Sequence, residues 1–189
     1  FVFVDSIEAF KDAKNSPHAT LKLYFPVSKD TWLDSELKKA MDSLGTGSWE
    51  DIAGRQFAEY KSFYEDQLKV IGKVDNDMAA FLNYYSGSNA VVKYNDRGYL
   101  VVDQFRDSYT GGAHGYYFST FHLFDVQNQK KLTLKDIIRA DKKTLTALLE
   151  KQIRIDKIIP EKKKNKNHLF VNSLQPSENY YFNDLGLAF

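Results

Sequence analysis

The stretch SYTGGAHGYYFSTFHLFD, Ser108 to Asp125, sets two adjacent glycines and a histidine against a run dense in aromatic residues. Paired glycines permit positive φ or a close backbone approach, so Gly111 and Gly112 read as a place where the chain bends before the strand that follows. His114 is expected to hold that bend by hydrogen-bonding the backbone. The segment Tyr116 to Val126 reads as a strand with Tyr116, Phe118 and Phe124 on one side and Tyr117 and Phe121 on the other. Rings on both faces predict a central strand covered twice. His122 within it reads as a satisfied interior polar group.

Upstream, Ala19 to Phe25 alternates as a strand and stops at Pro26. Asp30-Thr31 opens a helix whose apolar face is Leu33, Leu37, Ala40, Met41 and Leu44, with Gly45 as its stop. Ser48 and Asp51 form a capping box for a second helix, with Ala53, Phe57, Tyr60, Tyr64, Leu68 and Ile71 on its inner face and Gly72 at its end. The period then changes to two. Phe81 to Tyr85 is expected to be a strand, and Ala90 to Tyr94 with Tyr99 to Phe105 flank Asn95-Asp96-Arg97-Gly98. Those four residues suit a type I turn followed by a left-handed glycine in a hairpin. After the aromatic strand, Thr133 caps a brief helix, Asp141 starts a longer one that ends before Pro160, and Asn183 to Gly186 predicts a last hairpin. Strands grouped apart from helices indicate α+β: an antiparallel sheet of several strands with helices packed on one side, in two intertwined subdomains.

Chemistry is harder to find. His114 and His122 lie eight residues apart; on a regular strand that is roughly 26 Å, too far for two ligands of one ion. No HExxH, calcium loop, nucleophile elbow or phosphate-binding glycine loop is present, and no metal or cofactor is expected. His114 as a general base would need a tuning neighbour such as Asp103 or Asp107. The 26 basic and 25 acidic residues nearly cancel, so no global field attracts nucleic acid or anionic lipid. The one basic cluster, Glu161 to His168, reads as a solvated loop. With no cysteine, disulfides, thiol catalysis and thiolate zinc sites are excluded. No apolar run reaches the roughly 18 residues of a transmembrane helix. The start at Phe1, without Met, reads as a segment of a longer precursor.

The GGAH stretch followed by KKLTLKDII resembles the signature of a bacterial extracytoplasmic domain best known from the C-terminal part of RsiV-type anti-sigma factors. Tyr109, Gly111, Gly112, Ala113, His114, Phe124, Asp125, Leu132, Thr133, Leu134 and Asp136 occupy the places of that motif. The N-terminal half, with its strand into Tyr24-Phe25-Pro26, is similar to the companion domain found before it and in PdaC-like peptidoglycan deacetylases. The deacetylase's own metal-binding set has no counterpart here. The resemblance spans about Ala19 to Phe189, implies a division into 1–88 and 89–189, and implies a closing strand that this stretch lacks. It also implies a secreted or lipid-anchored bacterial envelope domain, and in the RsiV type this region binds lysozyme. No transmembrane or sigma-binding segment accompanies it here.

Two functions follow as expectations. One is a non-enzymatic binding or sensor module for a protein such as lysozyme or for a cell-wall glycan, a peptidoglycan fragment for example, using Arg106, Tyr109, Gly111, Gly112, His114 and Tyr116. The other is a hydrolase or transferase acting on wall polymers with His114 as general base.

Overall fold

The computed structural model describes residues 1–10, 16–71, 80–155, 175–183 and 186–189. The chain forms two compact units, Phe1–Lys131 and Leu132–Phe189. The first unit holds six strands, β1 (Val2–Glu8), β2 (His18–Tyr24), β3 (Tyr84–Asp96), β4 (Tyr99–Tyr109), β5 (Tyr116–Asp125) and β6 (Lys130–Lys131). It also holds two helices, α1 (Thr31–Met41) and α2 (Trp49–Ile71). The second contains α3 (Leu134–Ile137), α4 (Lys142–Ile155) and the hairpin β7 (Tyr181–Asn183) and β8 (Gly186–Ala188). The 88/89 boundary implied by the resemblance falls inside β3.

The helix starts are set locally. The Asp30 carboxylate accepts the Leu33 N–H at 2.8 Å, and Leu33, Leu37 and Met41 are buried at four-residue spacing. Ser48 and Asp51 cap α2 reciprocally, at 2.8 and 3.1 Å. The two helices are joined by the Trp49 indole N–H donating to Asp34 at 3.0 Å, by the Arg55–Asp42 ion pair at 2.7 Å, and by the Gln56 amide donating to the Met41 carbonyl at 2.9 Å. In the second unit, Thr133 stands at the cap of α3 as expected, in a capping box with Asp136.

The six strands lie in sequence order in one mixed sheet. Every pairing is antiparallel except β2 with β3, which is parallel. This corrects the antiparallel expectation. Parallel neighbours need a long crossover, and α1 and α2 together supply it. Three local expectations also change. Ala80–Leu82 is a 3₁₀ turn and β3 begins only at Tyr84. The β3–β4 hairpin closes through Arg97 and Gly98, with φ of 53° and 82°. Two successive left-handed residues make a type I′ turn, whose twist matches the strands better than type I. β5 is not covered along its length: beyond β4 it pairs with β6 only at Phe124 and Asp125, and Tyr116 and Tyr117 at its start are exposed.

β1 was not expected from its sequence. Its apolar residues fall on both faces, Val2 and Val4 being exposed, and the segment becomes a strand by pairing residue for residue with β2. The core of this unit lies between one sheet face and the helices. Leu21, Leu23, Leu100, Val102 and Phe124 come from the sheet, Leu33, Leu37, Met41, Trp49, Ile52 and Ala53 from or beside the helices. Phe25 stacks on Trp49 with ring centroids 4.9 Å apart. Of the predicted α2 face, Ala53 and Tyr64 are fully buried, and Phe57, Tyr60 and Leu68 partly so. The basic cluster at 161–168 lies outside the described residues.

Leu23 is 1% exposed at the centre of this core. Leu23→Ala should therefore cost about 3 kcal/mol, the removed transfer energy plus an incompletely collapsed cavity. Urea unfolding should show a lowered midpoint with an unchanged slope.

Candidate functional site

The alternation of the strands decides which side chains meet the helices. Leu21 and Leu23 of β2 pair with Ser86 and Ser88 of β3. Those serines pair in turn with Ser108 and Arg106 of β4, which oppose Tyr116 and Phe118 of β5. Along the helix-facing side, β4 thus reads Leu100, Val102, Gln104, Arg106, Ser108: apolar at one end, polar at the other. Where the sheet turns polar, the helices no longer fill the space. A cleft of about 470 Å³ remains, its floor made of Ser86, Ser88, Gln104, Arg106, Ser108 and Phe118, and its opposite wall of Gln56, Glu59 and Tyr60 from α2. The volume falls within the roughly 300–1,000 Å³ of small-molecule sites.

The floor is ordered by a hydrogen-bonded network. Gln104, 2% exposed, donates its amide N–H to Ser88 Oγ at 3.2 Å. Its Oε1 accepts from the Arg106 guanidinium at 3.0 Å and lies 3.4 Å from His122 Nε2. Arg106 also lies over the Phe118 ring, 5.6 Å from its centroid. A guanidinium held by a fixed carbonyl and an aromatic face loses little freedom on meeting a ligand. Burial pulls Arg106 below its ordinary pKa. Burial raises the phenol of Tyr60, whose hydroxyl has no hydrogen-bond partner among the described residues.

His122 is buried, as its strand position suggested. Burial first, then the charges of Lys131 and Arg106, push its imidazole down from 6.5 to about 4, against an opposing pull from Asp103.

The structure separates the residues expected to act together. Arg106 and Tyr116 border the cleft. Tyr109 and Tyr116 border a shallower hollow of about 450 Å³, alongside Tyr85, Phe105 and Tyr117. Gly111, Gly112 and His114 line neither. Both glycines have positive φ, 88° and 92°, and the bend is braced by the Tyr109 hydroxyl donating to the Gly112 carbonyl at 2.9 Å. His114 is exposed, and its Nδ1 lies 3.3 Å from the carbonyl of the adjacent Gly115. Among the described residues no three His, Asp or Glu side chains are placed to share a metal ion, and no helix is long and apolar enough to cross a membrane. Ser86, Ser88, Gln104 and Ser108 went unrecognised as site residues. Their signal is polarity at every second position of two strands that turn out to be neighbours.

This architecture has solved relatives. A DUF3298 family protein from Bacteroides fragilis matches with a TM-score of 0.74 at 26% identity, over 95% of this chain and 79% of that one. The structural neighbours are DUF3298 family proteins. A second, from Pseudomonas aeruginosa, has a TM-score of 0.47 at 16% identity, over 83% of this chain and 67% of that one. No family model matches the chain, and no curated protein does. DUF3298 denotes a domain of unknown function, so the likeness carries the α+β fold and no activity.

Two predictions follow from this geometry. A Cβ on Gly111 would meet the Phe81 carbonyl oxygen at 2.9 Å, whereas one on Gly112 meets nothing within 4 Å. Gly112→Ala should cost about 1–2 kcal/mol for its left-handed backbone, and Gly111→Ala distinctly more, as read by melting temperature. For His122, the unfolded state takes up a proton near pH 6.5 and the folded state only near pH 4. Stability contributed by the neutral ring is thus full above pH 6.5 and lost as pH falls through that window, by about 3 kcal/mol. Urea unfolding at a series of pH values should show this slope in the parent and a shallower one in His122→Gln.

Proposed function

We propose that this chain is a non-enzymatic binding module of the bacterial cell envelope, acting outside the cytoplasm, and that its cleft receives a saccharide unit of a cell-wall glycan. The observation that carries the reading is the composition of the cleft floor. Hydroxyls of Ser86, Ser88 and Ser108 and the amide of Gln104 stand beside the Phe118 and Tyr116 rings. Sugars present polar hydroxyls at their edges and a C–H face above and below, so a floor of fixed polar groups next to aromatic rings is complementary to them. The network through Gln104 holds these groups in place before any ligand arrives, which lowers the cost of binding. The resemblance to RsiV-type and PdaC-like envelope domains supports the same setting.

A protein partner such as lysozyme is a second reading, favoured by a different surface. Tyr117 is 75% exposed, and Phe105, whose ring centroid is 6.2 Å from that of Tyr117, is 37% exposed. Aromatic residues of this kind often anchor protein interfaces. His114 as a general base draws less support, since its ring meets a backbone carbonyl rather than a carboxylate.

Isothermal titration of the protein with soluble peptidoglycan fragments and with lysozyme tests the two. Heat with the fragments that is lost in Gln104→Ala, but kept in Tyr117→Ala, is the expected result. Heat with lysozyme alone, abolished by Tyr117→Ala, would replace the saccharide reading with the protein one. Heat with neither removes both.

A further inference from the structure

The Arg106 guanidinium is half-buried in the cleft, yet it forms no ion pair with any described residue. Among the described residues it meets the neutral Gln104 oxygen and the Phe118 ring. Charges removed from water are ordinarily paired, because desolvation costs more than a neutral neighbour returns. The acidic groups bordering the cleft are engaged elsewhere or stand apart. Asp42 is paired with Arg55 at 2.7 Å. Asp107 follows Arg106 on β4, so its side chain belongs to the opposite sheet face, where the Tyr85 hydroxyl reaches it at 3.4 Å. Glu59 is an exposed residue on α2. Of the five N–H donors of this planar fork, one is given to Gln104 among the described residues, and the residue lines the cleft.

We infer that the cleft recognises a carboxylate carried by its saccharide ligand, with Arg106 as the counter-ion. This rests on the saccharide reading above and narrows it to acidic sugars. The fork matches a carboxylate with two parallel N–H···O bonds. Phosphate shares the oxyanion chemistry but brings a charge of about −1.5 to −2 near neutral pH, more than one guanidinium balances. The neighbouring Ser88 and Ser108 hydroxyls and the aromatic rings then hold the ring of the sugar.

The test compares three probes by isothermal titration: N-acetylmuramic acid, which bears a carboxylate; N-acetylglucosamine, its neutral counterpart; and N-acetylglucosamine 6-phosphate. The acidic sugar should bind at least about tenfold more tightly than the neutral one, a difference of about 1.4 kcal/mol. Arg106→Gln should erase that preference, Arg106→Lys should keep part of it, and Glu59→Gln should strengthen it. The preference is measured in the parent protein and so does not depend on any variant folding. Equal binding of the acidic and neutral sugars overturns the inference and leaves the saccharide reading standing. Tightest binding of the phosphate sugar overturns the carboxylate assignment. Binding of none of the three removes the saccharide reading and the inference with it.

Discussion

The parallel register of β2 against β3 is the constraint on which the site depends. It sets Leu21 beside Ser86 and Leu23 beside Ser88, so a strand that is apolar toward the helices abuts one that is polar there. One residue of slip would turn every side chain of β3 to the other face, burying Tyr85 and Gly87 where the serines stand. The leucines pin β2 by burial, and β3 is pinned on its far side by the type I′ hairpin to β4. The polar floor is held in place by apolar contacts on one side and turn geometry on the other.

A buried amide, imidazole and guanidinium in one network would weaken a fold if any were left unsatisfied. Here Gln104 is the hub, joining Ser88, Arg106 and His122 through its two amide atoms. The neutral state of His122 belongs to this arrangement. A protonated ring would be a second cation next to Arg106; among the described residues the acid that acts on it is Asp103, which Lys93 already engages at 3.4 Å. Depressing the imidazole therefore keeps a second positive charge from forming beside Arg106, which itself lines the cleft.

Features encoded by near neighbours were legible in the sequence. Asp30, the Ser48–Asp51 pair and Thr133 each announce a helix start because a capping group acts within three residues along the chain. The hairpin at Arg97-Gly98 was legible as a hairpin, though its turn type was not, because an arginine at positive φ is unexpected without the strand twist that selects it. Features that need distant segments were hidden. β1 has no clean alternation and exists through β2. The parallel pairing joins residues more than sixty positions apart. The cleft floor arises from this pairing together with those of β3, β4 and β5, so Arg106 and Tyr116 could be singled out without any indication that Ser86, Ser88 and Gln104 would surround them.

The GGAH segment has its place in this arrangement without lining the cleft. By reversing the chain between β4 and β5, it fixes Ser108 opposite Tyr116 and Arg106 opposite Phe118. Those two cross-strand pairs put the guanidinium over its ring and bring Tyr116 to the rim. A looser or shorter bend would shift β5 along β4, and Arg106 would then face Tyr116 or Thr120 at the same inward positions. The glycines permit the bend, the Tyr109 hydroxyl braces it, and what they secure is the register that keeps the Arg106 guanidinium oriented. The motif most conspicuous in the sequence therefore acts at a distance from the surface that would hold a ligand.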